Sequence, residues 1–156
     1  MRIELVHPMI VSFPISLLMI GTFIRLGAFF VRKKEFYPTV LTVSWGLLSL
    51  GIFFGIVAIF TGDLAHTIVH EKLCDHKVLD YHQRFAFTTI SLFALALLLD
   101  HMKKWSPIFG ILSIPLYIIA PIFLICTGYF GGKLVFEQGA GVESKCIPKV
   151  TYNSRF

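Results

Sequence analysis

The fold is decided by residues 38–61, because the segment PTVLTVSWGLLSLGIFFGIVAIFT contains no charged side chain. A helix crosses the hydrocarbon core of a bilayer with about 20 mostly apolar residues. Residues 9–31, 82–100 and 107–132 are also mostly apolar, although in the third span the uncharged run covers only residues 85–99 and needs its flank to reach across. The first of them is interrupted only by Arg25, which lies close enough to the end of the span for its guanidinium to snorkel to the interface. The sequence therefore predicts an all-α fold, an antiparallel four-helix transmembrane bundle.

The composition of the whole chain agrees with this prediction. Of the 156 residues, 56% are hydrophobic and only 15% are charged, whereas about a quarter of the residues in an average soluble domain are charged. This excludes a disordered chain and a soluble nucleic-acid binder, and it makes the lipid bilayer the first expected partner. The length predicts a single integral membrane domain over residues 1–156.

The connections between the four spans differ in length and in charge. A long loop (residues 62–81) and a tail (residues 133–156) share one side with the N-terminus, and two short turns lie on the other side. The turns carry five basic residues: Arg32, Lys33, Lys34, Lys103 and Lys104. The positive-inside rule places such turns in the cytoplasm, so both termini are predicted to be periplasmic, in a bacterial inner membrane.

Two cysteines lie on the predicted periplasmic side, Cys74 in the long loop and Cys146 in the tail. An oxidising compartment permits them to pair, and the alternative is two free thiols. Cys126 falls inside the fourth span and is expected to be a small packing residue.

Histidines collect on the same side of the predicted bundle. Five of the six belong to it: His7, His66, His70, His76 and His82. His7 precedes Pro8 and is expected to cap the first span. Asp80 and Gln83 resemble a capping box, which places His82 in the first turn of the third span. Several imidazoles at one membrane level predict a metal or heme site, although His76 lies in a charged segment and is expected to be solvated.

His66 and His70 share one helical face if the second helix continues past the membrane. The faces that run inward from His66 and from His82 consist mostly of small residues: Gly62, Ala58, Gly55 and Gly51 on one helix, and Ala86, Thr89, Phe93 and Ala96 on the other. Such faces either leave room for a flat ligand or serve close helix packing. Both interpretations stay open.

Heme b fits this composition better than the other cofactors considered. Zinc would require closely spaced Cys and His or an HExxH motif, and neither is present. Heme b requires one or two histidines, an apolar slot and positive charge for the propionates, which Arg84 and Lys133 can supply. Four aromatic residues either wall the macrocycle or face lipid: Phe13, Phe85, Tyr129 and Phe130.

The axial ligands predicted for this heme are His7 and His82, with His66 and His70 as further or alternative ligands. One heme is predicted, and a second is left open. An acidic acceptor, Asp63, Asp80 or Glu71, is expected to fix the imidazole tautomer.

Three segments resemble a family of bacterial membrane proteins with four predicted spans, domain of unknown function family 2231. They are residues 7–15 (HPMIVSFPI), residues 61–62 (TG), and residues 127–136 (TGYFGGKLVF) followed by 139–142 (GAGV). The chain departs from the family at Ser12, Tyr129 and Gln138, where many relatives carry histidine. The resemblance implies the four-span topology, with fewer or different ligands here. The architecture is also similar to that of four-helix b-type cytochromes, by analogy alone.

The leading functional prediction is a b-type heme protein that carries electrons at the periplasmic face, and an electron-transfer protein rather than a catalyst. Its redox partner is not identified by the sequence, and homo-oligomerisation is left open. The alternatives are a membrane scaffold without a cofactor and a small transporter component. A transporter should show ionisable groups in the middle of the membrane, for which Arg25 is the one candidate.

Overall fold

A computed structural model describes residues 5–70, 73 and 75–141, with residues 67–69 given by their backbone alone. Five helices follow in order: α1 Val6–Ile10, α2 Ser12–Gly27, α3 Tyr37–His70, α4 His76–Met102 and α5 Pro107–Phe136. Four segments are long and apolar enough to span a membrane: Val6–Gly27, Tyr37–His66, His76–Met102 and Pro107–Phe136. The predicted fold class is thereby confirmed. The predicted Cys74–Cys146 disulfide falls outside the described residues.

The first span consists of two helices, α1 and α2, which are separated at Val11. Pro14 causes the interruption, because a proline has no N–H to donate to the carbonyl group four residues earlier, that of Ile10. The structure corrects the predicted place of His7, which lies within the short helix α1 and does not precede it. Its side chain consequently starts one turn before the main helix α2.

The loop between the second and third spans is much shorter than predicted. Helix α3 continues to His70, and α4 already begins at His76. The carboxylate of Asp75 caps α4 by accepting from the backbone N–H of Lys77 at 3.0 Å. The helix extends this far because Val78 and Leu79 are buried, so an apolar face precedes the predicted capping box. As a correction, His82 therefore lies in the second turn of α4.

The helices form two antiparallel hairpins, α2 with α3 and α4 with α5. The hairpins meet through α3 and α4 and, over a smaller area, through α2 and α5. Helices α2 and α4 consequently lie diagonally across the bundle, as a four-helix arrangement predicts. Seven buried side chains form the main core: Leu18, Leu48, Phe93, Ala96, Tyr117, Ala120 and Leu124.

The two hairpins repeat one another position by position. Arg25 and Asp100 are 75 residues apart, and His7 and His82 have the same separation. Buried positions of α3 and α5, the second helices of the two hairpins, also correspond, and the members of every pair are the same number of residues apart. The pairs are Ser44 with Ser113, Leu48 with Tyr117, Gly51 with Ala120, and Ala65 with Leu134. Because both hairpins start at the same end, this register relates them by an approximate two-fold axis along the bundle.

The turn end of the bundle is fixed by a buried ion pair across the diagonal. The Asp100 side chain is fully buried and that of Arg25 is 13% exposed. The guanidinium binds both carboxylate oxygens, with Arg25 Nε donating to Asp100 Oδ2 at 2.7 Å. Trp45 Nε1 and Lys103 Nζ also donate to this carboxylate, at 2.6 and 3.2 Å. Arg25 therefore does not snorkel to the interface, because Asp100 lies inside α4 and provides a partner there.

Candidate functional site: the histidine pair

Two of the predicted ligands, His7 and His82, meet at the loop end of the bundle. Their ring centroids are 6.1 Å apart and their planes are almost perpendicular, at 85°. His7 belongs to the first span and His82 to α4, so they come from diagonal elements. Because they occupy equivalent positions in the two hairpins, the approximate two-fold axis passes between them. The structure thus brings together the two histidines that the sequence analysis paired.

Each imidazole is fixed by one hydrogen bond to the second helix of its own hairpin. Nδ1 of His7 donates to the carbonyl oxygen of Ala58 at 2.9 Å, and Nδ1 of His82 donates to that of Thr127 at 3.0 Å. A carbonyl group only accepts, so in both rings the proton is on Nδ1 and Nε2 keeps its lone pair. This is the tautomer that binds a metal through Nε2.

The groups that fix the tautomers are not the acidic ones that were predicted. Backbone carbonyl groups accept the hydrogen bonds from Nδ1, whereas Asp63 and Asp80 are exposed and Glu71 lies outside the described residues. A carbonyl within a helix is available to an imidazole only where the neighbouring side chain leaves space. Both helices satisfy this condition with a glycine one turn further on.

The rings of His7 and His82 pack directly against Gly62 and Gly131, respectively. A Cβ atom at Gly62 would lie 3.0 Å from Cε1 of His7, and one at Gly131 would lie 3.1 Å from Cε1 of His82. Both distances are tighter than ordinary van der Waals contact, so a larger residue would push the ring away from its carbonyl acceptor. The glycines at these two positions therefore bring the imidazoles against the helix backbone.

The spacing of the two rings is compatible both with a direct contact between them and with a shared metal. With metal–nitrogen bonds of about 2 Å and a ring radius of just over 1 Å, two imidazoles on opposite sides of one metal have centroids about 6 Å apart. The observed 6.1 Å is compatible with this arrangement, and it also lies within the range of about 4.5–7 Å for an ordinary edge-to-face contact between two rings. The donor set, two imidazoles with Nε2 unprotonated, is also one that heme iron accepts.

The small-residue faces below the histidines serve packing. A Cβ at Gly55 would lie 2.2 Å from Cδ1 of Ile90, and one at Gly51 would lie 2.8 Å from Leu18. On the other face, the hydroxyls of Thr89 and Thr127 are 3.2 Å apart. The stripes are filled by neighbouring side chains, which favours helix packing over a ligand slot at these positions. The case for heme at this site therefore depends on His7 and His82 as iron ligands, and not on a slot formed by these faces.

The remaining loop-end histidines form a separate group. The rings of His66 and His70 are 5.2 Å apart, and His76 stacks on His70 at 4.0 Å. The side chain of His76 is exposed, which agrees with the expectation that it is solvated, and its ring also contacts that of His70. Within the described parts of the chain no three His, Cys, Asp or Glu side chains are arranged to hold a metal ion.

The two cations predicted for the propionates differ in their surroundings. Arg84 is exposed, whereas Lys133 lies 3.7 Å from the carboxylate of Glu137 and over the ring of Tyr129. Among the predicted wall residues, Phe85 stacks on Phe130 at 5.3 Å. The other two, Phe13 and Tyr129, have more than half of their surface exposed.

The sequence analysis did not identify the glycines against which the imidazoles pack, nor the carbonyl groups that accept their hydrogen bonds. Backbone carbonyl groups leave no mark in a sequence, so Ala58 and Thr127 had no signal of their own. The internal repeat does have a signal. Aligning the chain with itself at His7 and His82 places Arg25 opposite Asp100, which would have identified the ion pair.

Four residues of the site, His7, Gly62, Thr127 and Gly131, lie in the segments that resemble the family, and a direct comparison agrees. A family model described as "Predicted membrane protein (DUF2231)" matches residues 4–144. Comparisons with curated proteins and with solved structures gave no significant match. The chain belongs to the DUF2231 family of predicted membrane proteins.

Proposed function

We propose that this DUF2231 protein is a b-type heme protein of the membrane that carries electrons at the loop end of its bundle. The observation that supports the proposal is the histidine pair. Two imidazoles from equivalent positions in the two hairpins lie 6.1 Å apart, and each has Nδ1 engaged with a backbone carbonyl. Both rings therefore present Nε2 as the remaining donor.

His7 and His82 are the residues that would hold the iron. Heme iron with two histidine ligands supplies one-electron transfer, and it has no open position for a substrate. The hydrogen bonds to Ala58 and Thr127 orient the rings and fix the tautomer, as outer hydrogen bonds do for metal-binding histidines. His66 and His70 remain candidates for a further ligand. Arg84 and Lys133 are the nearest predicted cations for the propionates.

The rival function is a cofactor-free membrane subunit. In that case each imidazole acts only as a hydrogen-bonding link between two helices, a role that polar side chains play in membrane proteins. The filled glycine stripe at Gly51 and Gly55 favours close packing and is compatible with this rival. A transporter is less favoured, because Arg25 and Asp100 neutralise each other.

The experiment uses His82→Asn and His7→Asn, made in cells with ample heme. The asparagine amide N–H can replace Nδ1–H as donor to the carbonyl group, but asparagine has no counterpart of Nε2. The heme protein should show the absorption spectrum of six-coordinate heme, and each substitution should abolish or convert it while the protein stays folded. His101→Ala, at the opposite end of the bundle, is the control and should leave the spectrum unchanged.

The rival gives a different result in the same experiment. A cofactor-free subunit would lack a Soret band in the unsubstituted protein, and the asparagine variants would differ from it only in stability. Loss of the spectrum in His66→Ala or His70→Ala, with His7→Asn unaffected, would move the ligand assignment to the second histidine group.

A further inference from the structure

A groove between α3 and α4 opens to the membrane in the turn half of the bundle. Its volume is about 510 Å³, within the range of small-molecule sites in proteins. Both helices line it with apolar side chains, among them Ile52, Leu97 and Leu98. Trp45 and His101 also line it. The groove lies at the opposite end from His7 and His82, so it is separate from the proposed heme site.

The turn end of the groove carries positive charge. Lys103 Nζ lies 5.0 Å from the centre of the Trp45 ring, and Lys104 Nζ lies 3.1 Å from Nε2 of His101. The carboxylate of Asp100 is shared by Arg25 and Lys103, so this buried cluster has one uncompensated positive charge. The ammonium group of Lys104 adds a second positive charge at the same level.

Trp45 joins the charged end to the apolar groove. Its indole N–H donates to Asp100, which fixes the ring, and the His101 ring lies 6.0 Å from it in an edge arrangement. Tryptophan is enriched at the membrane interface, where its ring lies at the level of the lipid headgroups. Basic pockets between transmembrane helices bind anionic lipid headgroups.

We propose that this groove binds an anionic phospholipid, with an acyl chain along Ile52 and Leu97 and the phosphate at Lys104 and His101. The apolar lining matches an acyl chain, and the two uncompensated positive charges match an anionic headgroup. A second copy of this chain is a poorer occupant, because two identical basic ends would face each other at the interface.

The test is fluorescence quenching in vesicles. The chain has two tryptophans, so Trp105→Phe leaves Trp45 as the single fluorophore. The protein is reconstituted with increasing fractions of phosphatidylglycerol brominated on its acyl chains, and in parallel with brominated phosphatidylcholine. Phosphatidylglycerol should bind at Trp45 more tightly than phosphatidylcholine by at least about five-fold, the ratio that one basic residue contributes at a membrane surface.

Lys104→Gln should lower this ratio about five-fold, because it removes one of the two uncompensated positive charges. Lys33→Gln removes a positive charge from the other turn on the same side and should leave the ratio unchanged. Adding inorganic phosphate to the buffer should not abolish the preference, because a free anion lacks the acyl chain. If Trp105→Phe fails to fold, the unsubstituted protein in detergent serves instead, and its unfolding temperature should rise with phosphatidylglycerol more than with phosphatidylcholine.

Three outcomes would overturn the proposal. Equal quenching by the two lipids would show a groove without headgroup selectivity. No quenching by either lipid would show that another occupant covers the groove, and crosslinking between chains would then identify a second copy. Loss of the preference on addition of phosphate would show an anion site that does not use the groove.

Discussion

Glycine at position 131 has a steric function, because the His82 ring occupies the space of a side chain there. We expect Gly131→Ala to displace the imidazole from the Thr127 carbonyl, since the added methyl group would lie 3.1 Å from Cε1. In the proposed heme protein the band positions should shift and heme should be lost more readily. The measurement is the absorption spectrum together with heme retention on dilution in detergent.

The same helix offers the matched control for this substitution. A Cβ atom at Gly128 would meet no atom within 4 Å, and alanine has the higher helix propensity. Gly128→Ala should therefore leave the spectrum unchanged. A spectrum that changes equally in the two variants would contradict the role of Gly131 in positioning the His82 ring.

Tyr117 carries a hydroxyl that the fold does not use. The side chain is fully buried in the core, and among the described residues its oxygen has no hydrogen-bond partner. A buried unsatisfied hydroxyl costs about 1–3 kcal/mol, so Tyr117→Phe should unfold at an equal or higher denaturant concentration. Unfolding followed in mixed micelles of detergent and dodecyl sulfate measures this. A clear loss of stability would mean that the hydroxyl has a partner after all.

At the residue scale the sequence predicted that His7 and His82 lie together, but not how their rings are fixed. His7 and His82 were identifiable because each marks the start of an apolar run. Their acceptors are backbone atoms, which no residue pattern reveals. The glycine stripe was ambiguous for a physical reason, because small side chains are required both for a flat ligand and for close helix approach.

At the scale of helices, the apolar runs predicted the four spans because the bilayer sets their length. The helix ends were less predictable, since α3 and α4 extend beyond the apolar runs. Packing decides these ends, as the buried Val78 and Leu79 show. The pairing of Arg25 with Asp100 was also missed, because Arg25 was expected to snorkel to the interface and Asp100 was only the last residue of the predicted third span.

This ion pair connects α2 with α4 and should be strongly coupled. We expect Asp100→Leu to destabilise the protein by about 3–5 kcal/mol, because it leaves a buried guanidinium without its partner. The double variant Arg25→Leu, Asp100→Leu should lose much less than the sum of the single losses. The double-mutant cycle consists of the unfolding free energies of the unsubstituted protein, the two single variants Arg25→Leu and Asp100→Leu, and the double variant.

Lys103→Gln is the control for the cycle. The Lys103 side chain is 29% exposed, and partly exposed pairs of this kind contribute at most about 1 kcal/mol. If the loss of unfolding free energy in the double variant equals the sum of the losses in the two single variants, Arg25 and Asp100 do not stabilise the bundle as a pair.

At the scale of the whole molecule, the orientation predicted from the basic turns makes Cys74 and Cys146 periplasmic. We expect them to form a disulfide, which closes a long loop and contributes about 3–4 kcal/mol in the chain-entropy model. Counting thiols after denaturation without reductant should find one, that of Cys126. Three free thiols would refute the bridge. A reporter active only in the cytoplasm and fused to residue 156 should give no signal.

The central claim concerns the whole molecule, because the two hairpins each contribute one imidazole at the approximate two-fold axis. Two equivalent ligands on one axis predict one shared heme for each chain. The most direct measurement is the visible spectrum and heme content of the protein purified from cells supplied with heme. We expect a Soret band, a sharp α-band on reduction, and one heme per chain. A folded protein without a Soret band would contradict the account and leave the cofactor-free subunit in its place.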